Sequence, residues 1–343
     1  MDPAANDTIP GGPLMLPTRL RSAVAVVASV AALLVSGCGV ERAADSAQGA
    51  KGAPRVEADG STSNGASSTV PGPERPENFE GTGGVVYLRK AADHTASIES
   101  MSVSTVVEMH GFPMVGDMKI SVEGESDSAA NKAHLKMDMG DLFGSFGGST
   151  GLPADAGSME MIVDGDTTYV KSGLFALMPG ADQSKPWFSA PTGKISDNKT
   201  LSQGTADPKE LLEFIRTAGG EVTEVGHETV RGTETTHLST VIDIDKLAES
   251  APASDKAALE KSLEKLGAAG ITEFPLDAWV DSDGRVRKMV MKMDMSKVGS
   301  GQVEMDGATM TVTVEMFDFG EPVDIDVPPT DQVQALDLSM FGN

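Results

Sequence analysis

Apolar and polar residues alternate with a period of two along most of this chain of 343 residues. Met101, Val103, Thr105, Val107 and Met109 share one side of a first run, with Ser102, Ser104 and Glu108 opposite. Met118, Ile120 and Val122 repeat the pattern against Lys119, Ser121 and Glu123, and Leu135, Met137 and Met139 repeat it against Lys136 and Asp138. Met159, Met161 and Val163 continue it, and Thr167–Lys171 follows across the turn Asp164-Gly165-Asp166. Later runs cover 221–228 and 230–244, joined near Arg231-Gly232, then 274–280 and 286–295, joined by Asp281-Ser282-Asp283-Gly284, and finally 303–317. Alternation of this kind marks strands that bury one face, and the Asp/Gly turns between runs mark hairpins. The pattern predicts a large, mostly antiparallel sheet with one greasy face and one wet face.

Helical spacing occurs in three places. Val85, Leu88, Ala91 and Ala92 lie on one side of a helix that leads into the first strand. Asp207-Pro208-Lys209-Glu210 offers an Asp cap, a Pro at the first helical position and an acid at the third, ahead of Leu211, Leu212, Phe214 and Ile215. Leu259, Leu263 and Leu266 mark the third helix. So long a sheet with so few helices must curl around them to cover its apolar face. The expected class is α+β: a large curled antiparallel sheet, or half-barrel, packed around a few helices.

Before the sheet the pattern changes twice. Arg19 and Arg21 precede an apolar stretch from Ser22 to Val35, too short for a comfortable membrane span. It ends in Leu34-Val35-Ser36-Gly37-Cys38, an aliphatic residue and small residues before the single cysteine of the chain. That is a lipobox, so residues 1–37 are expected to be a lipoprotein signal peptide and Cys38 the site of diacylglyceryl attachment. Asp2, Asp7, Pro3, Pro10 and Pro13 do not suit a signal segment, and Met15 is the expected start of translation. From Gly39 to about Glu80 the chain is rich in Ala, Ser, Gly, Thr and Pro with almost no large apolar side chains, the composition of a disordered tether. The expected organisation is a signal peptide at 1–37, lipidated Cys38 and tether over 38–83, one domain over 84–328 and a tail over 329–343.

Charge then narrows the partners. The two acids and two bases of residues 1–37 cancel, so the net charge of -24 belongs to the mature chain. Such a surface repels nucleic acid and anionic headgroups, and leaves membrane attachment to the lipid on Cys38. With one cysteine there is no disulfide, and the fold holds by burial alone.

Nineteen methionines against 4% aromatics set this chain apart, and the methionines fall on the greasy side of the alternation. Met289, Met291, Met293 and Met295 take four successive inward positions; Met310 and Met316 flank Val312 and Val314 on the next strand. Unbranched, polarizable methionine suits a surface that adapts to flexible apolar ligands, and it also fills gaps in solid cores. Both readings stand: a packed core, or an acyl-chain cavity lined by Met137, Met139, Met161, Met289, Met291, Met293, Met295, Val312 and Val314. Thioether binding of Cu(I) is a third, and would better suit solvent-facing loops. Phe143 and Phe146, in the glycine-rich loop after Met139, would form a lid over the mouth of a cavity, touch the bilayer, or lie in a plain disordered insertion.

Catalytic patterns are weak. His94, His110, His134, His227 and His237 lack metal-ligand spacing and are expected to be ordinary surface or strand residues. Asp281-Ser282-Asp283-Gly284 begins like a calcium loop, but Arg285 and Lys292 stand where oxygen ligands belong. Gly147-Gly148-Ser149-Thr150-Gly151 matches G-x-S-x-G without the strand and helix that a nucleophile elbow needs. No cofactor, no metal and no enzymatic activity are expected.

The strand-and-turn text resembles a known group. Val163-Asp164-Gly165-Asp166-Thr167-Thr168-Tyr169-Val170-Lys171, Lys185-Pro186-Trp187-Phe188, Gly226-His227-Glu228-Thr229-Val230-Arg231-Gly232 and Trp279-Val280-Asp281 with Gly284 are similar to the actinobacterial LppX/LprG-type lipoproteins, distant structural relatives of LolA and LolB. The resemblance covers about residues 84–328. It implies a LolA/LppX-like half-barrel and, by analogy, binding or carriage of an acyl lipid or lipoglycan across the envelope. Of site residues it transfers only the anchor, Cys38. The alternative is an envelope lipoprotein that binds a protein partner, through its wet face or its tether, and no lipid.

Overall fold

The computed structural model describes residues 72–79, 82–112, 116–141, 153, 155–178, 180–197, 212, 215, 221–243, 272–296 and 306–336. Helix α1 (Thr82–Ala96) comes first. The strands follow as β1 (Ser100–Phe112), β2 (Gly116–Asp127), β3 (Lys132–Asp138), β4 (Ser158–Asp164), β5 (Thr167–Ser172) and β6 (Trp187–Pro191). Beyond a short helix α2 (Thr192–Asp197) come β7 (Thr223–Val230), β8 (Thr233–Asp243), β9 (Glu273–Asp281), β10 (Val286–Asp294), β11 (Thr309–Phe317) and β12 (Val333–Ala335). All twelve strands form one curled, unclosed sheet in the order β12-β6-β5-β4-β3-β2-β1-β11-β10-β9-β8-β7. Neighbours are antiparallel except β12, which runs parallel to β6. The expected half-barrel with few helices is present, as a mixed sheet.

Local chemistry sets the corners. Arg231 and Gly232 both have positive φ, 46° and 82°, which is the two-residue turn whose twist matches a hairpin, and it joins β7 to β8. At the β9–β10 corner the Asp281 carboxylate accepts the N–H groups of Asp283 and Arg285 and the Nε–H groups of Arg285 and Arg287. Its oxygens are fully engaged in holding a turn, so the resemblance to a calcium loop ends there.

Helix α1 buries Leu88, Ala91 and Ala92, as the spacing predicts, together with Tyr87, while Val85 of the predicted stripe is half-buried against the same core. At its end the Thr95 hydroxyl donates to the Ala91 carbonyl and accepts the N–H of Val286, tying helix to sheet. The stripe packs on the inner face of the sheet in one large cluster with Met101, Met289, Met291, Met310, Val312, Val314 and Met316. Leu212 and Ile215, both helical and fully buried, join that cluster, as the second predicted helix requires. The third predicted helix lies outside the described residues.

Two features go beyond the reading by alternation. Residues 72–79, within the stretch assigned to the tether, lie against the domain. Phe79 is buried edge-on to Tyr87 with ring centroids 5.6 Å apart, and Arg75 pairs with Glu224 of β7 at 2.6 Å. Residues 329–336, assigned to the tail, supply β12. To reach it the chain crosses the outer face after β11, where Ile325 packs on Ile162 and Trp187. The outer face is therefore not uniformly wet. A second apolar patch of Val230, Trp279 and Val290 lies there under polar side chains. His237 stacks on Trp279 at 4.2 Å, Lys288 Nζ sits 4.6 Å from that ring, and the Trp279 indole donates to Glu228 at 3.0 Å.

Candidate apolar ligand-binding face

Register turns the alternating positions of the inner face into continuous rows across the sheet. One row runs Met316–Val103–Gly124–Leu135–Met161–Val170–Phe188. The next runs Leu238–Ala278–Met289–Val314–Thr105–Val122–Met137–Met159–Ser172. A third runs Thr240–Leu276–Met291–Val312–Val107–Ile120. Neighbours in a row are about 4.8 Å apart, so each row is a band of touching side chains.

Burial along these rows is uneven. Met289, Met291, Met295 and Val314 are fully buried, and Met293 and Val312 nearly so, in the main cluster that also holds the stripe of α1, Leu212 and Ile215. Met161 belongs to a second cluster with Val170, Phe175, Phe188, Ala190, Ile195 and Leu336, where Phe175 and Phe188 meet edge to face at 5.2 Å. Between the clusters the face is only half-buried. Val107, Ile120, Val122, Leu135, Met137, Met139 and Met159 all keep part of their surface in water. Leu135 touches both clusters, and it can lie flat there because its partner Gly124 has no side chain: a Cβ at 124 would stand 2.5 Å from Leu135 Cδ2 and 2.4 Å from the His134 carbonyl oxygen.

The nine candidate residues thus separate into three environments. Met289, Met291, Met293, Met295, Val312 and Val314 are core, Met161 is core of the second cluster, and Met137 and Met139 lie on the half-open band. Val107, Ile120, Val122, Leu135 and Met159 join that band, and nothing in the candidate set pointed to them. Their alternation marks them as inward, but only register and the clusters packed on the face distinguish deep from shallow positions. Cys38, Met15, the G-x-S-x-G segment and the two loop phenylalanines lie outside the described residues.

The band is electrically neutral. Inward positions of β1–β4 carry no charged side chain, and the acids and bases of these strands lie on the outer face. There His134 Nε2 meets Glu160 at 2.9 Å, with Lys136 and Lys171 within 4 Å of the same carboxylate. The histidines are less uniform than expected: His94 is buried at the end of α1, and His237 lies between Glu228 at 3.1 Å and Asp277 at 3.3 Å. Tyr87, at the core edge, has its phenol pushed up by burial, with Arg75 opposing and Asp281 adding to the shift. Among the described residues no group of three His, Cys, Asp or Glu side chains could hold a metal ion, and no helix is long and apolar enough to cross a membrane.

The chain is similar to mycobacterial lipoproteins of the LppX type. LprF from Mycobacterium bovis aligns over 71% of this chain and 96% of its own, at 16% identity and a TM-score of 0.39. LppX from Mycobacterium tuberculosis aligns over 71% and 97%, at 14% identity and a TM-score of 0.38. A LolA superfamily protein from Nitrosomonas europaea follows at 11% identity and a TM-score of 0.22, over 68% of this chain and 92% of that one. An uncharacterized 31.2 kDa protein of Streptomyces griseus is 32% identical over 144 residues, 42% of this chain and 40% of that protein. The chain thus spans less than half the length of that relative. No family model matches. The architecture rests on the strand order and register described above.

Proposed function

We propose that this chain is an extracytoplasmic lipoprotein, held on the cell membrane by a diacylglyceryl group on Cys38, that binds or carries acylated molecules and performs no chemistry on them. The observation that carries this reading is the half-buried apolar band between two buried clusters. A sheet face that served only as core would be closed along its whole length, as it is in the main cluster over β9, β10 and β11. The band instead offers water-exposed apolar surface, worth about 25 cal/mol for each Å² that a ligand covers. Its methionines adapt to a flexible chain by changing rotamer. The lipobox supplies the location, and the neutral inner face on an acidic protein supplies the ligand type: acyl tails, with any charged headgroup left outside.

The test is native mass spectrometry of the full chain purified from an actinobacterial host. Stoichiometric co-purifying acyl lipid is the expected result. A clean apo mass, persisting after incubation with total envelope lipid, overturns the reading and turns the search to protein partners.

A further inference from the structure

Four neighbouring inward positions of one row, Thr105–Val122–Met137–Met159, supply the core of the band; buried Val314 flanks Thr105 on one side, and Ser172 closes the row on β5. Thr105 is the one hydroxyl among Met101, Val103, Thr105, Val107 and Met109, the inward positions of β1. It is half-buried and makes no hydrogen bond with the described residues. Three buried threonines are engaged, Thr95 with Ala91, Thr168 with Thr192 at 3.1 Å and Thr235 with the Glu228 carbonyl at 2.7 Å, whereas Thr240 is unpartnered among the described residues but fully covered, out of a ligand's reach. Ser172 is likewise engaged, accepting from the Leu174 N–H. The Thr105 hydroxyl is thus unpaired among the described residues, beside the apolar positions Val122, Met137 and Met159, which extend over three strand spacings, or about 14 Å, from it.

We propose, on the basis of the lipid-binding reading above, that Thr105 is the polar contact that selects the ligand: its hydroxyl donates to the carbonyl oxygen of a neutral acyl ester whose chain lies along Val122, Met137 and Met159. An ester fits where an ionised fatty acid does not. A carboxylate at this position would lose its hydration with no cation on the inward positions of β1–β4 to replace it, whereas a neutral carbonyl needs only one donor. A pure hydrocarbon would cover Thr105 and strip its hydroxyl of water without return.

The experiment compares two fluorescent probes on the full chain, methyl cis-parinarate as a polyene ester and 1,6-diphenylhexatriene as a carbonyl-free hydrocarbon, with wild type, Thr105→Val and Thr105→Ser. Val keeps the shape and removes the hydroxyl; Ser keeps the hydroxyl and serves if the Val variant is poorly folded. The expected result is about tenfold weaker binding of the ester by Thr105→Val, near-wild-type binding by Thr105→Ser, and hexatriene binding that Thr105→Val leaves unchanged or improves. Free cis-parinaric acid should bind more weakly than its methyl ester at neutral pH. Equal losses for both probes, an unchanged ester affinity in Thr105→Val, loss of ester binding in Thr105→Ser, or preference for the free acid each overturns the assignment of Thr105 while lipid binding stands. Wild type that takes up neither probe overturns the lipid-binding reading, and this inference with it.

Discussion

Met137 and Met291 have the same chemistry and the same inward parity, yet they should respond oppositely to one substitution. Glutamine matches methionine in length and shape and adds an amide. At Met291, fully buried in the main cluster, the change forfeits most of a side-chain transfer energy of about 1.5–3 kcal/mol and buries an amide without partners at about 1–3 kcal/mol. Met291→Gln should therefore lower the unfolding free energy by roughly 3–5 kcal/mol, a large share of the stability of an ordinary domain. At half-buried Met137 the amide can keep its water, and the loss should be about 1 kcal/mol or less. Ligand affinity should show the reverse order. Met137→Gln forces a bound acyl chain to dehydrate an amide, weakening binding by about 5–30-fold, or 1–2 kcal/mol, whereas folded Met291→Gln should bind almost normally. Urea unfolding followed through the buried indoles of Trp187 and Trp279 reads the stabilities, and titration with methyl cis-parinarate reads the affinities. If Met291→Gln were tolerated at under 1 kcal/mol yet lost binding while Met137→Gln kept it, the cavity would lie under β10 and β11, and the division into core and band would be wrong.

Other expected outcomes follow from single contacts. Gly124→Ala should destabilise by about 1–3 kcal/mol in urea unfolding, because the new methyl meets the β3 backbone at His134 as well as Leu135; a neutral change would contradict the close approach. Thr240→Val should leave stability unchanged or raise it by about 1 kcal/mol, since the Thr240 hydroxyl is buried without a hydrogen-bond partner among the described residues, and a clear loss would mean that the hydroxyl is satisfied. The Asp182 carboxyl is held below its ordinary value of 3.8 by the hydroxyl and then the N–H of Ser184. Its contribution to stability is complete above that value and is lost as pH falls through the lower folded pKa. Carboxyl carbon NMR should place Asp182 below 3.8 and Ser184→Ala should return it toward that value, while identical titrations would rule out the Ser184 hydroxyl as the main cause.

The sheet was legible because its strands bury one face, so side-chain parity is written directly as alternation, and Asp/Gly turns punctuate it. Helix α1 and the buried pair Leu212 and Ile215 were legible from spacing in the same way. Depth was not. Met137 and Met291 look alike in sequence because parity says which way a side chain points but not what lies above it, and the main cluster covers only part of the sheet. Long-range crossings left no local mark either. The path from Phe317 over the outer face to β12 follows from Ile325 meeting Ile162 and Trp187, and three residues of parallel strand are too few for a pattern. The outer patch under His237 and Lys288 was hidden because Trp279 and Val290 sit among charged residues, whose stems and rings cover them.

The most direct measurement of the central claim is photo-crosslinking of the full chain with a long-chain acyl ester bearing a diazirine in mid-chain, followed by peptide mapping. The expected labels fall on peptides holding Val107, Ile120, Val122, Leu135, Met137 and Met159, and excess unlabelled methyl ester suppresses them. Labels confined to outer-face residues, or insensitive to that competitor, would contradict a ligand-binding band on the inner face.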